Sequence, residues 1–248
     1  MSRNQRYTAM VLRVRAQGEA NREAFFLTAE EGIVRATLYG GPKSKLRSQV
    51  APWHVGKLLV YHDPVRDSRK ISDFDVESWK PGLRELYERS AAAGTVAALI
   101  LSAQGGGGGW DEALALADES LGALETAGAS GAVFLLVQFV WRWLAFLGQR
   151  PSLEYCSSCA CEYPPDGVLW YSRYEGSLLC PSCAHSPEGD DYLELSPGLR
   201  RWLAAADSIA PGELRRYTLD ASLAAQARLL GSAIASGLLG KKIRLGEL

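Results

Sequence analysis

Apolar and polar residues alternate along the first eighty residues of the chain, which is the pattern of short β-strands with one buried face. Glycine-containing turns separate the alternating segments. The pattern predicts five strands, over Tyr7–Arg15, Ala24–Thr28, Ile33–Tyr39, Lys57–His62 and Arg69–Val76. Five short strands suit a small barrel, and five is the strand number of the OB-fold. The pattern alone does not separate an OB-fold from an SH3-like barrel.

The same alternation predicts which side chains share a face. Strict alternation along the first strand groups Tyr7, Ala9, Val11, Arg13 and Arg15. In the third strand it separates Arg35 and Tyr39 from Val34 and Leu38. We interpret most of the aromatic residues in this region as barrel core, namely Tyr7, Phe25, Phe26, Trp53 and Phe74.

Beyond Pro81 the apolar residues recur at helical spacing. The pattern predicts helices that include or begin near Leu83, Val96, Trp110, Ala132, Leu199 and Leu223. The run of five glycines at 105–109 cannot continue a helix, and we assign it no role. The apolar segment 132–147 contains Gln138 and Arg142 on one helical face and is short for a membrane span. We therefore predict a buried helix and no membrane association.

Four cysteines form two Cys-x-x-Cys pairs, Cys156 with Cys159 and Cys180 with Cys183. Two such pairs on neighbouring turns can hold one zinc ion in a tetrahedron of thiolates. All four positions are thiolates, so no open coordination site is evident and we expect one structural Zn²⁺. A redox-active pair and simple packing thiols are the alternatives, and the role of Cys161 is left open.

These elements predict a multi-domain α+β protein. An OB-fold occupies residues 1–80, and an all-α domain occupies 81–155 and 184–248. A four-cysteine zinc ribbon at 156–183 is inserted into the helical domain. Cysteine usage fits a reducing compartment, and no apolar signal segment opens the sequence, which predicts a cytoplasmic protein.

Charge is distributed unevenly along the chain. Residues 1–72 contain 13 Lys/Arg against 6 Asp/Glu, a net charge of +7, whereas residues 73–248 contain 14 against 22, a net charge of −8. A basic barrel on a near-neutral protein indicates a polyanion-binding surface. Its candidate nucleic-acid contacts are Arg13, Arg15, Arg35, Tyr39, Lys43, Lys45 and Arg47. An ordinary solvated basic face is the alternative.

Signals for catalysis are sparse. No Gly-x-Ser-x-Gly elbow is present, and Gly240-Lys241-Lys242 lacks the remainder of a nucleotide-binding loop. We therefore predict that the protein is not an enzyme.

Several motifs resemble the bacterial recombination-mediator family RecO. They are Ala9–Leu12 with Gly18-Glu19, Leu27-Thr28-x-x-x-Gly32, Gly40–Arg47 followed by Pro52-Trp53, and Phe139–Leu147 leading through Gly148, Pro151 and Leu153 to Cys156. The last stretch is the most specific, since a long apolar helix that leads into a zinc motif is uncommon. The chain departs from the family where Ala160-Cys161 replaces the usual glycine, and in its pentaglycine run.

The resemblance implies an OB-fold, a helical domain and a zinc module. It also implies a nucleoid-associated protein that binds single- and double-stranded DNA and anneals complementary strands. The implied partners are RecR and single-strand-binding protein, with RecF and RecA as indirect partners, and the implied outcome is RecA loading on coated single strands. A zinc-ribbon accessory protein that binds RNA or a protein partner, without annealing DNA, is the alternative function.

Overall fold

The alternating segments at the start of the chain form a closed five-stranded barrel. Its strands are β1 (Asn4–Gln17), β2 (Asn21–Thr28), β3 (Gly32–Leu38), β4 (Val55–Asp63) and β5 (Ser68–Ser78). Their order around the barrel is β1-β2-β3-β5-β4, closed by antiparallel pairing of β4 with β1. Only the β3–β5 pair is parallel among the described strands. The predicted OB-type barrel is confirmed.

A computed structural model describes residues 3–40, 44–103, 109–184, 191–214 and 219–246. The predicted phosphate contact Lys43 and the glycines at 105–108 lie outside these ranges.

The barrel is filled by the inward side chains of all five strands. Phe26 and Phe74 are fully buried and meet edge to face, with ring centroids 5.8 Å apart. Two of the aromatic residues that we interpreted as barrel core lie outside it. Phe25 is half-buried on the outer surface of β2, and Trp53 packs against the helical core.

A register shift in β1 corrects the predicted faces of that strand. Val11 pairs with Phe26 and Arg13 pairs with Phe25, so Leu12 is the extra residue of a bulge. Val11 therefore points into the barrel, whereas Arg13 lies exposed on the outer face. Strict alternation fails here because one inserted residue moves every later side chain to the opposite face.

The remainder of the chain is mainly helical. Its helices are α1 (Leu46–Gln49), a 3-10 turn (Pro81–Arg84), α2 (Tyr87–Ser102), α3 (Trp110–Leu124), α4 (Ala129–Phe146), α5 (Pro197–Ser208), α6 (Pro211–Leu214) and α7 (Ala221–Leu239). Helix α4 lies at the centre and packs against α2, α3, α5 and α7. Its fully buried Trp141 and Trp143 explain the strong apolar pattern of this segment.

Helix α4 is long and apolar enough to cross a membrane, judged by length and composition alone, yet 56% of that segment is buried inside the protein. Its two internal polar residues hold the end of α5. Gln138 Nε2 donates to the carbonyls of Ala206 and Ile209, at 2.9 and 2.7 Å. Arg142 donates to the same two carbonyls and to that of Asp207. These contacts satisfy carbonyls that a helix end leaves open, which confirms the predicted core helix.

The cysteine region folds on a small antiparallel sheet of β6 (Leu169–Ser172), β7 (Ser177–Leu179) and β8 (Tyr192–Leu195). Strands β6 and β7 form a hairpin that turns at Gly176, which has φ +65°. Strand β8 was not predicted; it pairs with β6 and leads directly into α5. The sheet therefore extends past Cys183, the predicted end of the insertion.

The barrel and the helices share one hydrophobic core. Met10, Leu12 and Leu27 face out of the barrel and belong to the same buried cluster as the helical residues. At the contact, a Cβ placed on Gly32 would come within 2.4 Å of the Trp110 ring at the start of α3. The buried Lys80, between barrel and helices, pairs with Asp118 of α3 at 2.7 Å.

Candidate nucleic-acid interface and metal centre

Cations and an aromatic ring form rows across the outer face of β1, β2 and β3. Arg13 pairs with Phe25, and Phe25 pairs with Arg35 on the next strand. In the adjacent row Arg15 lies opposite Glu23. The Arg15 guanidinium lies over the Phe25 ring, 5.2 Å from its centroid. The fold thus brings together three of the predicted contacts, Arg13, Arg15 and Arg35. We call the surface that these arginines form with Phe25 and Glu23 the cationic face.

One buried carboxylate organises the cationic face. Glu23 is only 5% exposed and lies between two arginines. Its oxygens accept from the Arg15 guanidinium at 2.5 Å and from Arg35 Nε at 3.2 Å. The Arg15 and Arg35 side chains are 59% and 65% exposed, so they remain open to solvent beyond the carboxylate. Glu23 therefore fixes the direction of both guanidiniums and reduces the net charge of the face.

The end of β3 adds an exposed ring. Tyr39 is 51% exposed, and Lys70 of β5 lies over it with Nζ 5.6 Å from the ring centroid. Lys70 pairs with Thr37 in the parallel β3–β5 ladder, which places Tyr39 and Lys70 at the edge of the cationic face. A ring of this kind can stack with a base while a neighbouring cation meets a phosphate.

The predicted cluster Lys43–Arg47 is only partly described. Lys45 is exposed at the start of α1. Arg47 donates to the carbonyls of Gly40 and Ala20, at 3.1 and 2.6 Å. Arg47 thereby ties the segment before α1 to the turn between β1 and β2. Its guanidinium has a structural role here, with less freedom to meet a phosphate than those of Arg13 and Arg35.

The barrel surface is acidic on another side. Asp73, Asp75 and Glu77 are exposed along β5, and Lys57 is the cross-strand partner of Asp75. Positive charge therefore concentrates on the β1–β3 side rather than spreading evenly. Strands 2 and 3 of an OB-fold, together with the loop between strands 1 and 2, form the surface that binds oligonucleotides in this fold.

Sequence reasoning did not identify Glu23, Phe25 or Lys70 as parts of this surface. Alternation in β2 contained a signal, because Glu23 and Phe25 alternate with the buried Ala24 and Phe26. The pairing of Lys70 with β3 depends on barrel closure and has no local signal.

The four predicted metal ligands converge. Their sulfur atoms all lie within 4.8 Å of one another, in a group formed by Cys156, Cys159, Cys180 and Cys183. The Sγ atoms of Cys159 and Cys180 are 3.8 Å apart. A tetrahedral zinc site with Zn–S bonds of about 2.3 Å has edges of about 3.8 Å, so the donors fit that ion.

Backbone N–H groups support the thiolates of this cluster. Cys180 N lies 3.4 Å from Cys156 Sγ. Burial raises the pKa of the Cys156 thiol, but backbone N–H groups of Cys159, Cys180 and Ser158 outweigh that effect and lower it to about 6. A thiol that ionises this readily suits a metal ligand.

The turn that follows the first pair places Ala160 in a conformation that favours glycine. Ala160 has φ +57°, a left-handed conformation that glycine adopts without strain. Ala160 N donates to Cys156 O, and Cys156 N donates to Cys161 O, so both residues belong to the tight turn around the ligands. Cys161 is exposed and lies outside the group of four converging thiols.

The fold and the two sites define a class: a barrel of the oligonucleotide-binding type, joined to a helical domain that carries four converging cysteines able to hold a metal ion. Comparison with known families makes this specific. Residues 1–78 match the model described as "Recombination protein O N terminal", and residues 84–244 match "Recombination protein O C terminal". The chain therefore belongs to the RecO family of DNA repair proteins.

Curated relatives agree with the family models. The chain is 30% identical to the DNA repair protein RecO of Synechococcus sp. (strain JA-3-3Ab), over 96% of this chain and 79% of that protein. It is 27% identical to the DNA repair protein RecO of Anaeromyxobacter sp. (strain Fw109-5), over 95% of both.

Proposed function

We propose that this protein binds single- and double-stranded DNA on the cationic face of its barrel and anneals complementary strands. The observation that carries the proposal is the clustering of Arg13, Arg15 and Arg35 with Phe25 on strands β1–β3, beside the exposed Tyr39. Lys45, Arg47 and Lys43, the last outside the described residues, extend the proposed surface towards α1.

Annealing requires no covalent chemistry. Two strands repel each other through their phosphates, and cations that neutralise several phosphates lower that repulsion. Binding releases counterions, so affinity falls with salt by about 0.7–0.9 logarithmic units for each phosphate contact. Stacking on the exposed Tyr39 would add about 1–3 kcal/mol per base with little sequence preference. We therefore propose that the protein acts as a mediator of strand pairing and not as an enzyme.

The wider role follows from family membership. With RecR, we propose, the protein helps to load RecA onto single-stranded DNA coated by single-strand-binding protein, with RecF as an indirect partner. We further propose a cytoplasmic, nucleoid-associated protein with three functional units at 1–80, at 81–155 with 184–248, and at 156–183. The helical domain, which is acidic overall, is the proposed side for protein partners.

We propose that Cys156, Cys159, Cys180 and Cys183 hold one structural Zn²⁺. The converging sulfurs support this assignment over a redox-active pair. The ion would fix the two turns onto the β6–β7 hairpin and supply no chemistry to annealing. Metal analysis of the purified protein should give about one zinc per chain.

The DNA assignment is tested with a double variant, Arg13→Ala with Arg35→Ala. Its matched control, Arg3→Ala with Lys57→Ala, removes the same charge from other parts of the barrel. Fluorescence anisotropy with a labelled oligonucleotide, repeated across a salt series, should show weaker binding and a slope reduced by about 1.4 for the first variant only. Equal effects in both variants would mean that net charge, and not this face, governs binding.

Annealing itself is measured by energy transfer between two complementary labelled oligonucleotides. The protein should accelerate pairing, and Arg13→Ala with Arg35→Ala should reduce that acceleration. No acceleration of pairing by the wild-type protein would favour the accessory-protein alternative.

A further inference from the structure

A second cationic surface lies on the helical domain, in a groove of about 560 Å³ between α7 and the β6–β7 turn. Four cations from three segments line it: Arg173, Arg228, Lys242 and Arg244. None of the described residues that line the groove is acidic. Within the described chain, Arg173, Arg228 and Lys242 have no ion-pair partner. These three cations, held together without a counter-charge among the described residues, favour an anionic ligand.

Hydrogen bonds and a buried side chain fix one wall of the groove. After α7 ends at Gly240, the chain turns back along the helix and is fixed by two serines. Ser236 Oγ accepts from Ile243 N at 2.9 Å, and Ser232 Oγ accepts from Leu245 N at 3.0 Å. The buried Leu245 anchors the same segment in the core. This return segment forms one wall of the groove and sets Lys242 and Arg244 across from α7.

The attraction of cations to a helix C-terminus does not account for the groove. That effect favours positive charge within the last turn and would explain Lys242 alone. Arg228 lies in the middle of α7, and Arg173 belongs to the turn after β6. Their convergence therefore requires the packing of the metal-site sheet against the helical domain.

The surroundings of the groove suit a nucleic-acid strand. Leu229 is 52% exposed and lines the groove, and Tyr174, next to Arg173 at the turn, is 95% exposed. Phosphates can meet the cations while sugars and bases cover these apolar side chains. None of the groove residues belongs to the barrel, so this surface is separate from the cationic face.

We propose that the groove of Arg173, Arg228 and Lys242 binds the phosphates of a second nucleic-acid strand while the barrel holds the first. This inference rests on the proposed function, because annealing requires two strands to be held close together. It gives the metal site an indirect part in binding, since the β6–β7 hairpin that carries Arg173 also carries Cys180 at its end.

The test uses the full-length protein with two oligothymidylates, which cannot pair with each other. One, of about 16 nucleotides, is tethered to beads and the other is fluorescent and free. Wild-type protein should retain the fluorescent strand on the beads. The variant Arg173→Ala, Arg228→Ala, Lys242→Ala should bind the tethered strand normally but lose the free one, and the salt slope of retention should fall by about 2. The control Lys241→Ala, next to the groove, should behave as wild type.

The outcomes separate this proposal from the barrel assignment. Retention of the free strand by the triple variant at the wild-type level would overturn the groove proposal alone. Retention of the free strand at the wild-type level by Arg13→Ala with Arg35→Ala would overturn the barrel assignment alone. A third arm replaces the free strand with an acidic peptide of Asp, Glu and Phe residues. If the triple variant no longer binds this peptide but still retains the second strand, the groove binds a protein partner and the proposal is overturned. Unchanged melting temperature and metal content of the triple variant exclude misfolding as the cause of any loss.

Discussion

Replacing Glu23 by glutamine should change stability and DNA binding in opposite directions. The carboxylate is buried between Arg15 and Arg35, on the cationic face. Glutamine keeps the size of the side chain and one acceptor oxygen but removes the negative charge. Both guanidiniums would then be free to meet phosphates, and the net charge of the face would rise by one.

The size of each effect follows from exposure. Removing one partner of a fully buried pair costs about 3–5 kcal/mol, since it leaves a buried charge uncompensated. Here the two arginine side chains are 59% and 65% exposed, so water compensates them. We therefore expect a loss of about 1 kcal/mol in the free energy of unfolding, or about 2–4 °C in melting temperature. DNA affinity should rise at low salt, with a salt slope steeper by about 0.7.

Glu77→Gln is the matched control, because Glu77 is exposed on β5 and away from the cationic face. Thermal denaturation and anisotropy with a labelled single strand are measured for both variants across a salt series. Glu23→Gln should be less stable and should bind more tightly, whereas Glu77→Gln should change little in either assay. Weaker DNA binding by Glu23→Gln would refute the reasoning, since it would mean that the fixed direction of the arginines matters more than their charge.

Three further changes test other parts of the structure. Ala160→Gly should stabilise the metal-loaded protein by about 1 kcal/mol, because relief of the left-handed strain at φ +57° outweighs the larger entropy of glycine in the unfolded chain, and a lower melting temperature would contradict this. Gly32→Ala should cost about 2–4 kcal/mol, since it combines left-handed strain with a clash 2.4 Å from Trp110. Gly18→Ala isolates the strain, because Gly18 has φ +67° with open space around it, so about 1 kcal/mol is expected in chemical denaturation. Chelation should unfold the β6–β8 sheet and shift the fluorescence of Trp170, and an unchanged spectrum after complete metal removal would contradict a structural ion.

The elements that could be predicted are those with a local signal. Helix α3 was predicted to begin near Trp110, and the structure begins it at that residue. The cysteine cluster was predicted from spacing alone, because two residues between paired thiols already bring both sulfurs to one point. The barrel followed from alternation and strand number.

The features that could not be predicted depend on insertions and distant pairing. The bulge at Leu12 has no distinct sequence signal, so Arg13 and Arg15 were placed on the wrong side of β1 relative to Val11. Phe25 was assigned to the barrel core because most aromatic residues are buried, but it lies under Arg15 on the outer face. The cations of the groove on the helical domain come from segments that lie side by side only after α7 and the β6–β8 sheet have packed together.

The core that barrel and helices share limits how the protein can be dissected. Met10, Leu12, Leu27 and Val55 lie on the outside of the barrel yet are covered by helices. A truncated chain that ended near residue 80 would expose this apolar patch to water and tend to aggregate. The barrel would thus fold stably only together with the helices that cover it.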